Sequence, residues 1–423
     1  MHLSRPHGDK SCDRYYHESV TQSFTDENWP SGQRLCRARS ERGGGLEAHA
    51  SLPGYRRQWG ISPRTRYRLG ECDALVAAIR SAPLLPAEQQ RLLDAALARG
   101  AYATTAIGGN PLRPGEVSGV PASQRPPSGE HPLDAEVRNA ASTAYRLLTE
   151  ATTDPAAADA SLLLRAHHGI GDGLGEHFAA TPGHFRGAEL ATGESAPRGG
   201  EVPELVDGLF SWLDREFPHS HSGGEFGGAV VRALVTHVYL LWIRPFDDGN
   251  GRAARLIESC VLVSAGAPAI TSQILTCFYH RTRAEYRRQL EIAGRDRSPT
   301  PFIAYAAEGL RDGLRETLEE VRLAHLRGAW RGFVFDTFDG QPHRKRTVFL
   351  RRRDLMLAFP LDGALEIDQV AVLDTRIALR YGQLSQRTLR RDLAFLVRIG
   401  LLEQGEDGFS ANTAALRPLA KQP

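Results

Sequence analysis

Two helical signals meet at one loop in this chain. An apolar run at helical spacing, Val230, Val231, Leu234, Val238 and Leu241, ends at Pro245, and a further helix starts after Asn250. Between them lie an acidic pair, Asp247-Asp248, and two glycines around an asparagine, Gly249-Asn250-Gly251. Proline does not continue a helix, because it has no N–H and its ring clashes with the preceding turn. Glycines let backbone amides approach a ligand closely, and a following helix N-terminus offers unpaired N–H groups and a positive dipole end. Arg252 and Arg255 stand three apart and share a face of that helix's first turn. Two guanidiniums beside an amide nest make a site for a polyphosphate. Asp248, at its edge, would hold Mg²⁺ between protein and phosphates.

Other chemistries for this loop fail on spacing. A calcium loop beginning at Asp248 would put Arg252 at its fifth position and Ser259 at its twelfth, where oxygen ligands including a bidentate Glu are required. No Gly-x-x-x-x-Gly-Lys-Ser/Thr occurs, so the loop is not of the Walker type. A plain Gly-Asn turn joining two helices, with surface arginines, stays open beside the phosphate site.

Charge decides little by itself. The 423 residues carry 52 basic and 50 acidic side chains, a net of +2, which excludes a polybasic, histone-like chain and a uniformly acidic one. Only three of the basic residues are lysines, Lys10, Lys345 and Lys421, so an arginine carries little meaning by type alone. The five cysteines, Cys12, Cys36, Cys72, Cys260 and Cys277, are scattered and form no Cys-x-x-Cys pair. That argues against a disulfide framework or zinc ribbon and for a reducing compartment. No uninterrupted apolar run reaches the about 18 residues of a spanning helix, and the first residues do not read as a secretory signal. The expected setting is cytoplasmic, without a membrane.

Residues 1 to about 50 are polar, rich in Gly and Arg and aperiodic, which reads as a disordered tail or a misassigned start. Helical spacing appears from 64 to 99, a Gly- and Pro-rich loop spans 108–132, and helix resumes over 134–170. A short hairpin is expected around His184-Phe185-Arg186. Further helices are expected from Leu205, from Val230, after Asn250, and over roughly 280–292 and 300–325. His167-His168, His177, His184 and His219-Ser220-His221 lack companion carboxylates or thiols at metal-binding spacing, so no zinc site is expected.

The segment around the loop resembles the signature of the Fic (Fido) family, His-x-Phe-x-Asp/Glu-Gly-Asn-Gly-Arg-x-x-Arg, at Phe246, Asp248, Gly249, Asn250, Gly251, Arg252 and Arg255. Thr236-His237-Val238 leading to Ile243 resembles the preceding helix of that family. Pro182 to Arg186 resembles the start of its substrate-aligning flap, and Asp296 to Leu310 its closing helix. The resemblance covers about residues 60 to 325. It implies a mainly α fold, a Fic-type helical domain with a short flap hairpin, that binds ATP with Mg²⁺ and transfers AMP to a protein hydroxyl. Gly249, Asn250 and Gly251 would cradle the α- and β-phosphates. Asp248 would ligate Mg²⁺, Arg252 would hold outer phosphates, Arg255 would pair with the γ-phosphate, and Phe246 would anchor the loop. Arg244, Asp248 and Asn250 are the expected catalytic positions.

Two departures qualify this. The family's general-base histidine is Arg244 here, and arginine stays protonated in proteins. His237 lies about 10 Å back along the helix axis and reads as a packed histidine. Arg244 is either a third cation at the phosphate site or a drifted, inactive position. Tyr102 to Asn110 resembles the family's inhibitory helix, Ser/Thr-x-x-x-Glu-Gly/Asn, but the glutamate position is Gly108. A helix end capped by Gly108 and Gly109 fits the same residues.

After Phe349 the pattern changes. Ser385 is placed to cap a helix with a stripe of Leu389, Leu393, Leu396 and Val397, closed by Gly400. Leu401-Leu402, a turn at Gly405 to Gly408, and Phe409-Ser410 read as a hairpin, so the end of the chain resembles a small winged helix-turn-helix domain. Residues 331–423 hold 15 basic and 11 acidic side chains, 15 − 11 = +4. Arg387, Arg390 and Arg391 are the expected DNA-binding residues, with Arg351, Arg352 and Arg353 adding phosphate contacts. Dimerisation or protein docking remains the alternative use of such a domain. The expected division is a tail at 1–55, an N-terminal helical region at 56–130, the Fic core at 131–330 and the winged domain at 331–423. ATP, a protein substrate, DNA and a second copy of the chain are the expected partners.

Overall fold

The computed structural model describes residues 55–113, 131–154, 158–188, 196–218, 226–341 and 345–416. The expected tail at 1–55, except its last residue, and His219-Ser220-His221 lie outside these residues, as does most of the 108–132 loop.

Three early helices begin on a proline, where its missing N–H costs nothing. These are α1 (Pro63–Ser81), α2 (Pro86–Gly108) and α3 (Pro132–Thr153). The helical spacing expected over 64–99 falls within α1 and α2. Gly109 ends α2 in the left-handed region, φ 112°, and the Asn110 N–H reaches back to the Thr105 carbonyl at 3.1 Å. Asp159 caps α4 (Ala160–Gly171) through the Leu162 N–H at 2.7 Å. α5 (Val202–Glu216) follows, then α6 (Phe226–Ile243) and α7 (Asn250–Ser264), the two helices on either side of the motif loop. α8 (Ile274–Arg281), α9 (Arg283–Asp296) and α10 (Thr300–Asp339) complete the first part.

α6 is the central helix. Its 18 residues are long and apolar enough to cross a membrane by length and composition, because Thr236 and His237 do not offset the surrounding apolar side chains. The sequence-based expectation of no such run is corrected on that count; the helix is 83% buried by its neighbours. Val230, Leu234, Val238 and Ile243 are fully enclosed, with Leu163 of α4, Leu209 and Leu213 of α5, Ile257 of α7 and Phe302 and Ile303 of α10 in the same core.

α10 is 40 residues, longer than the expected 300–325, and about 60 Å in length. Phe302 to Ala324 belong to the first core, and Trp330, Val334 and Phe338 to a second one. That second core gathers α11 (Arg346–Ala358), the short α12 (Ile367–Val370), α13 (Thr375–Tyr381), α14 (Gln386–Arg398) and the strands β1 (Leu402–Gly405) and β2 (Gly408–Ala411). The strands pair antiparallel, Leu402 with Ala411 and Gly405 with Gly408, where the expected hairpin lies. Leu389, Leu393 and Leu396 form the buried stripe of α14, and Gly400, φ 76°, closes it. Ser385 holds the N-cap place, but its hydroxyl meets Thr388 Oγ1 at 3.2 Å and makes no cap bond.

One buried carboxylate organises this part. Asp392 on α14 is fully enclosed and takes Arg351 Nε at 2.8 Å, Arg352 Nε at 2.7 Å and the Tyr381 hydroxyl at 3.1 Å. An enclosed charge is tolerated only when it is paired and hydrogen-bonded. This corrects the expectation that Arg351, Arg352 and Arg353 meet phosphates: two are spent on Asp392, and Arg353 stacks on Phe335, 4.7 Å from the ring centre. Arg387, Arg390 and Arg391 are exposed on α14.

Candidate active site

α6 ends at Ile243, two residues before Pro245, so its last carbonyls cannot all be closed by the usual backbone turn. Arg186 closes them instead. Its guanidinium donates to the Arg244 carbonyl from Nε at 2.7 Å and to the carbonyls of Ile243, Pro197 and Ala188, and its backbone N–H reaches the Pro245 carbonyl at 3.0 Å. Burial pulls its pKa below the ordinary arginine value, with Asp247 opposing that shift. The segment carrying Arg186 has no paired strand among the described residues. Residues 184–186 are in no strand and are attached to the loop through Arg186; the stretch 189–195, which the expected hairpin would also involve, lies outside the described residues.

Arg244 leaves the helix in the left-handed region, φ 48°, an unfavourable conformation for a side chain with a Cβ, costing about 1–2 kcal/mol. It is half-buried, and its N–H holds the Leu240 carbonyl at 2.9 Å. Phe246, fully buried, lies flat on His167 of α4, ring centres 3.5 Å apart and planes within 2°. The Asn250 side chain staples the loop by accepting from the Phe246 N–H at 2.9 Å and donating to its carbonyl at 2.6 Å. Asn250, expected as a catalytic position, uses its side-chain amide to shape the loop.

Gly249 has φ 77°, and a Cβ there would stand 2.8 Å from Phe178 and 3.2 Å from His167. Only glycine fits. The first helical hydrogen bond of α7 runs from Ala253 N–H to the Gly249 carbonyl, so the N–H groups of Asn250, Gly251 and Arg252 precede the ladder. Asp248 Oδ1 accepts from Gly249 N–H at 2.5 Å and from Arg252 at 3.0 Å.

The two arginines of α7 are engaged by other helices. Arg252 pairs with Glu136 of α3, whose second oxygen accepts from Asn110 at 2.8 Å, and its guanidinium lies 5.0 Å from the Phe178 ring centre. Arg255 is 3% exposed and donates to the Thr104 hydroxyl at 2.9 Å, the Thr104 carbonyl at 3.1 Å and the Tyr286 hydroxyl at 3.3 Å. The 102–110 segment thus lies against Arg255 through a threonine. Behind it, the Tyr286 hydroxyl meets His237 Nε2 at 3.0 Å, and Glu258 accepts from Tyr279 at 2.8 Å with His237 Nδ1 at 3.3 Å. His237 is a packed core histidine. Thr104, Arg252, Arg255, Gln273 and Thr276 border a cavity of about 20 Å³, room for about one water.

His167 and Arg186 are the residues the motif reading passed over. His167 Nδ1 accepts from the Gly183 N–H at 3.0 Å and Nε2 contacts the Asp248 carbonyl at 3.0 Å; burial lowers its pKa to about 4. The available signal was position: His167 sits on the apolar stripe of α4 with Leu163, Ala166 and Ile170, and a buried imidazole needs partners at both nitrogens. Among the described residues no three His, Cys, Asp or Glu side chains form a metal-binding group.

Residues 157–262 match the Fic/DOC family. The chain carries a Fic/DOC domain. That domain runs from the start of α4 into α7 and contains the loop, His167 and Arg186. Over longer stretches the chain is similar to proteins named protein adenylyltransferase fic-1, 26% identical over 275 residues in Caenorhabditis briggsae and 25% over 268 in Caenorhabditis elegans. Each match covers 57% of this chain and 50% of the other protein, so the chain spans about half the length of these curated relatives. Protein adenylyltransferase Fic of Aedes aegypti is 31% identical over 127 residues, 30% of this chain and 23% of that one. The fold resembles the crystal structure of a Fic family protein from Desulfovibrio desulfuricans G20, with a TM-score of 0.52 at 23% identity, covering 86% of this chain and 97% of that one.

Proposed function

We propose that this chain binds Mg–ATP at the N-terminus of α7 and is a Fic-type protein adenylyltransferase whose transfer is weak or altered. The observation that carries the reading is the first turn of α7, where three N–H groups precede the helical ladder beside Gly249 and two arginines follow on one face. Gly249, Asn250 and Gly251 would contact the inner phosphates through their backbone, Arg252 the outer phosphates and Arg255 the γ-phosphate. The carboxylate that the reading assigns to the metal is Asp248, 35% exposed and with one oxygen in use. It fits a magnesium ion arriving on the triphosphate, since Mg²⁺ is commonly held by one or two carboxylates plus substrate phosphates. Asp248 would hold that ion, which supplies charge neutralisation. The names of the relatives support ATP as the nucleotide and a protein as acceptor.

In adenylyl transfer a protein hydroxyl oxygen attacks the α-phosphorus, pyrophosphate leaves, and the hydroxyl proton needs an acceptor. Arg244 stands where the family has its histidine and cannot accept it. Losing a general base costs about 10²–10⁴-fold in rate. A guanidinium at the mouth of the loop would instead add positive charge to the phosphate site. Labelled ATP incubated with the chain before and after Arg244→His tests this. Transfer rising by two orders of magnitude or more in the variant supports the reading; ordinary transfer by the unaltered chain overturns it, and absence of ATP binding in both removes the phosphate site.

A second reading has its own observation. Arg387, Arg390 and Arg391 are exposed on α14, which stands before a hairpin as in a winged helix. On that reading the chain is a nucleotide-responsive DNA-binding regulator without transferase activity. Against it, Glu366, Glu406 and Asp407 line the same groove as Arg390, and their charge opposes a phosphate backbone.

A further inference from the structure

We propose that His167 is a positioning residue: as a neutral imidazole protonated at Nε2, it locks the 182–186 segment onto the motif loop and so fixes the wall beside the first turn of α7. The proposal rests on the nucleotide-site reading for its effect on ligand binding, and on geometry alone for the lock.

The hydrogen-bond roles follow from donor chemistry. A backbone N–H only donates, so the Gly183 N–H requires His167 Nδ1 to be an unprotonated acceptor. A carbonyl only accepts, so the Asp248 carbonyl requires the proton on Nε2. One tautomer satisfies both, and each nitrogen binds a different chain segment. The ring face is used as well, by Phe246, whose backbone is held from the other side by Asn250. A single side chain of α4 therefore joins α4, the 182–186 segment and the loop 245–249.

Both anchor points are tight. Gly183 has φ 78°, and a Cβ there would stand 3.0 Å from the Cβ of His168, so the segment rests directly on α4. A Cβ at Gly249 would meet His167 itself. The charged and titratable groups around the ring are Asp248, Arg252 and His168, with Phe178 on the remaining side, ring centres 5.1 Å apart. The second attachment of the same segment, Arg186 to the Arg244 and Pro245 carbonyls, lies at the start of the loop, whereas His167 acts at its end. Together they hold the segment along the loop's length. Asp248 takes its carbonyl bond from His167 while its carboxylate bonds Arg252, so a shift of the Asp248 backbone moves both.

The experiment compares the full chain with His167→Phe, which keeps a stacking ring and removes both hydrogen bonds, and with His167→Gln, which retains one donor and one acceptor. Hydrogen exchange by mass spectrometry reads the peptides containing Gly183 and Asp248, and calorimetry reads ATP binding. The lock predicts at least about tenfold faster exchange at Gly183 in the Phe variant, about tenfold weaker ATP binding, and partial recovery of both in the Gln variant. Unchanged exchange at Gly183 in a folded Phe variant overturns it. Should the Phe variant not fold, ¹⁵N chemical shifts of labelled histidines in the unaltered chain decide: an Nε2–H tautomer for His167 supports the lock and an Nδ1–H tautomer overturns it. If no form binds ATP but exchange at Gly183 still rises, the lock stands and the nucleotide reading falls.

Discussion

Arg252 of α7 and Glu136 of α3 form an ion pair that is almost closed to solvent, with the side chains 9% and 16% exposed. Glu136 is held in turn by Asn110, and Arg252 by Asp248, so the pair sits within a four-residue network. On the proposed reading, an incoming triphosphate would compete with Glu136 for that guanidinium. Glu136→Gln removes the competing charge while keeping the side chain's size and its contact with Asn110. ATP binding is expected to tighten by about three- to tenfold. Thermal stability is expected to fall, because a largely enclosed Arg252 loses one of two carboxylate partners. Calorimetric titration with ATP and a melting curve check the two directions, and weaker binding in the variant would count against phosphate contact by Arg252.

Gly249 is the position where the loop tolerates nothing larger. Gly249→Ala asks a residue with a Cβ to adopt φ 77° and places that Cβ 2.8 Å from the Phe178 ring. The conformational strain alone is about 1–2 kcal/mol, and the ring contact adds to it. The expected outcome is a folded chain with a melting temperature lowered by a few degrees and ATP binding lost, since the adjacent N–H groups are re-aimed. Retained binding at the original affinity would show that the backbone of this turn does not meet the phosphates.

Asp392 gives a test confined to the second core. Asp392→Asn leaves Arg351 and Arg352 without their carboxylate, and breaking an enclosed pair from one side costs about 3–5 kcal/mol. Unfolding followed at Trp330, which packs in that core, should shift to lower denaturant. ATP binding at α7 should be unchanged.

Much of this arrangement was readable along the chain where it depended on neighbours in sequence. The arrest of α6 before Pro245, the start of α7 at Asn250, the stripe of α14 and the turn of its hairpin are all set by residues within one or two turns of each other. What was not readable is who holds what across the fold. Glu136 and Thr104 lie more than a hundred residues from the arginines they engage, and a pattern of charges does not say which carboxylate meets which guanidinium. Arg351 and Arg352 show the reverse error: an arginine run reads as a phosphate surface until a buried Asp392 claims it. Asn250 was read through its place in the motif, whereas its side chain is used up by Phe246.

Thr104 and Gly108 stand one helical turn apart on α2, so a side chain at 108 lies on the face that meets Arg255. A Cβ at Gly108 would enter open space, with nothing within 4 Å. Gly108→Glu is therefore accommodated without repacking. It puts a carboxylate where the resemblance to the inhibitory helix expects one. A glutamate in the last turn of a helix opposes the dipole by about 0.3–1 kcal/mol, a cost that pairing with a guanidinium offsets. ATP binding is expected to weaken by about tenfold, with the melting temperature held or raised, and Arg255→Lys in the same background should restore part of the affinity by loosening the new bidentate pair. Titration of ATP against the three chains checks this. Unchanged affinity in Gly108→Glu would mean that residues 102–110 are only the end of α2 closed by Gly109, and that Arg255 meets Thr104 as packing rather than as the remnant of a brake.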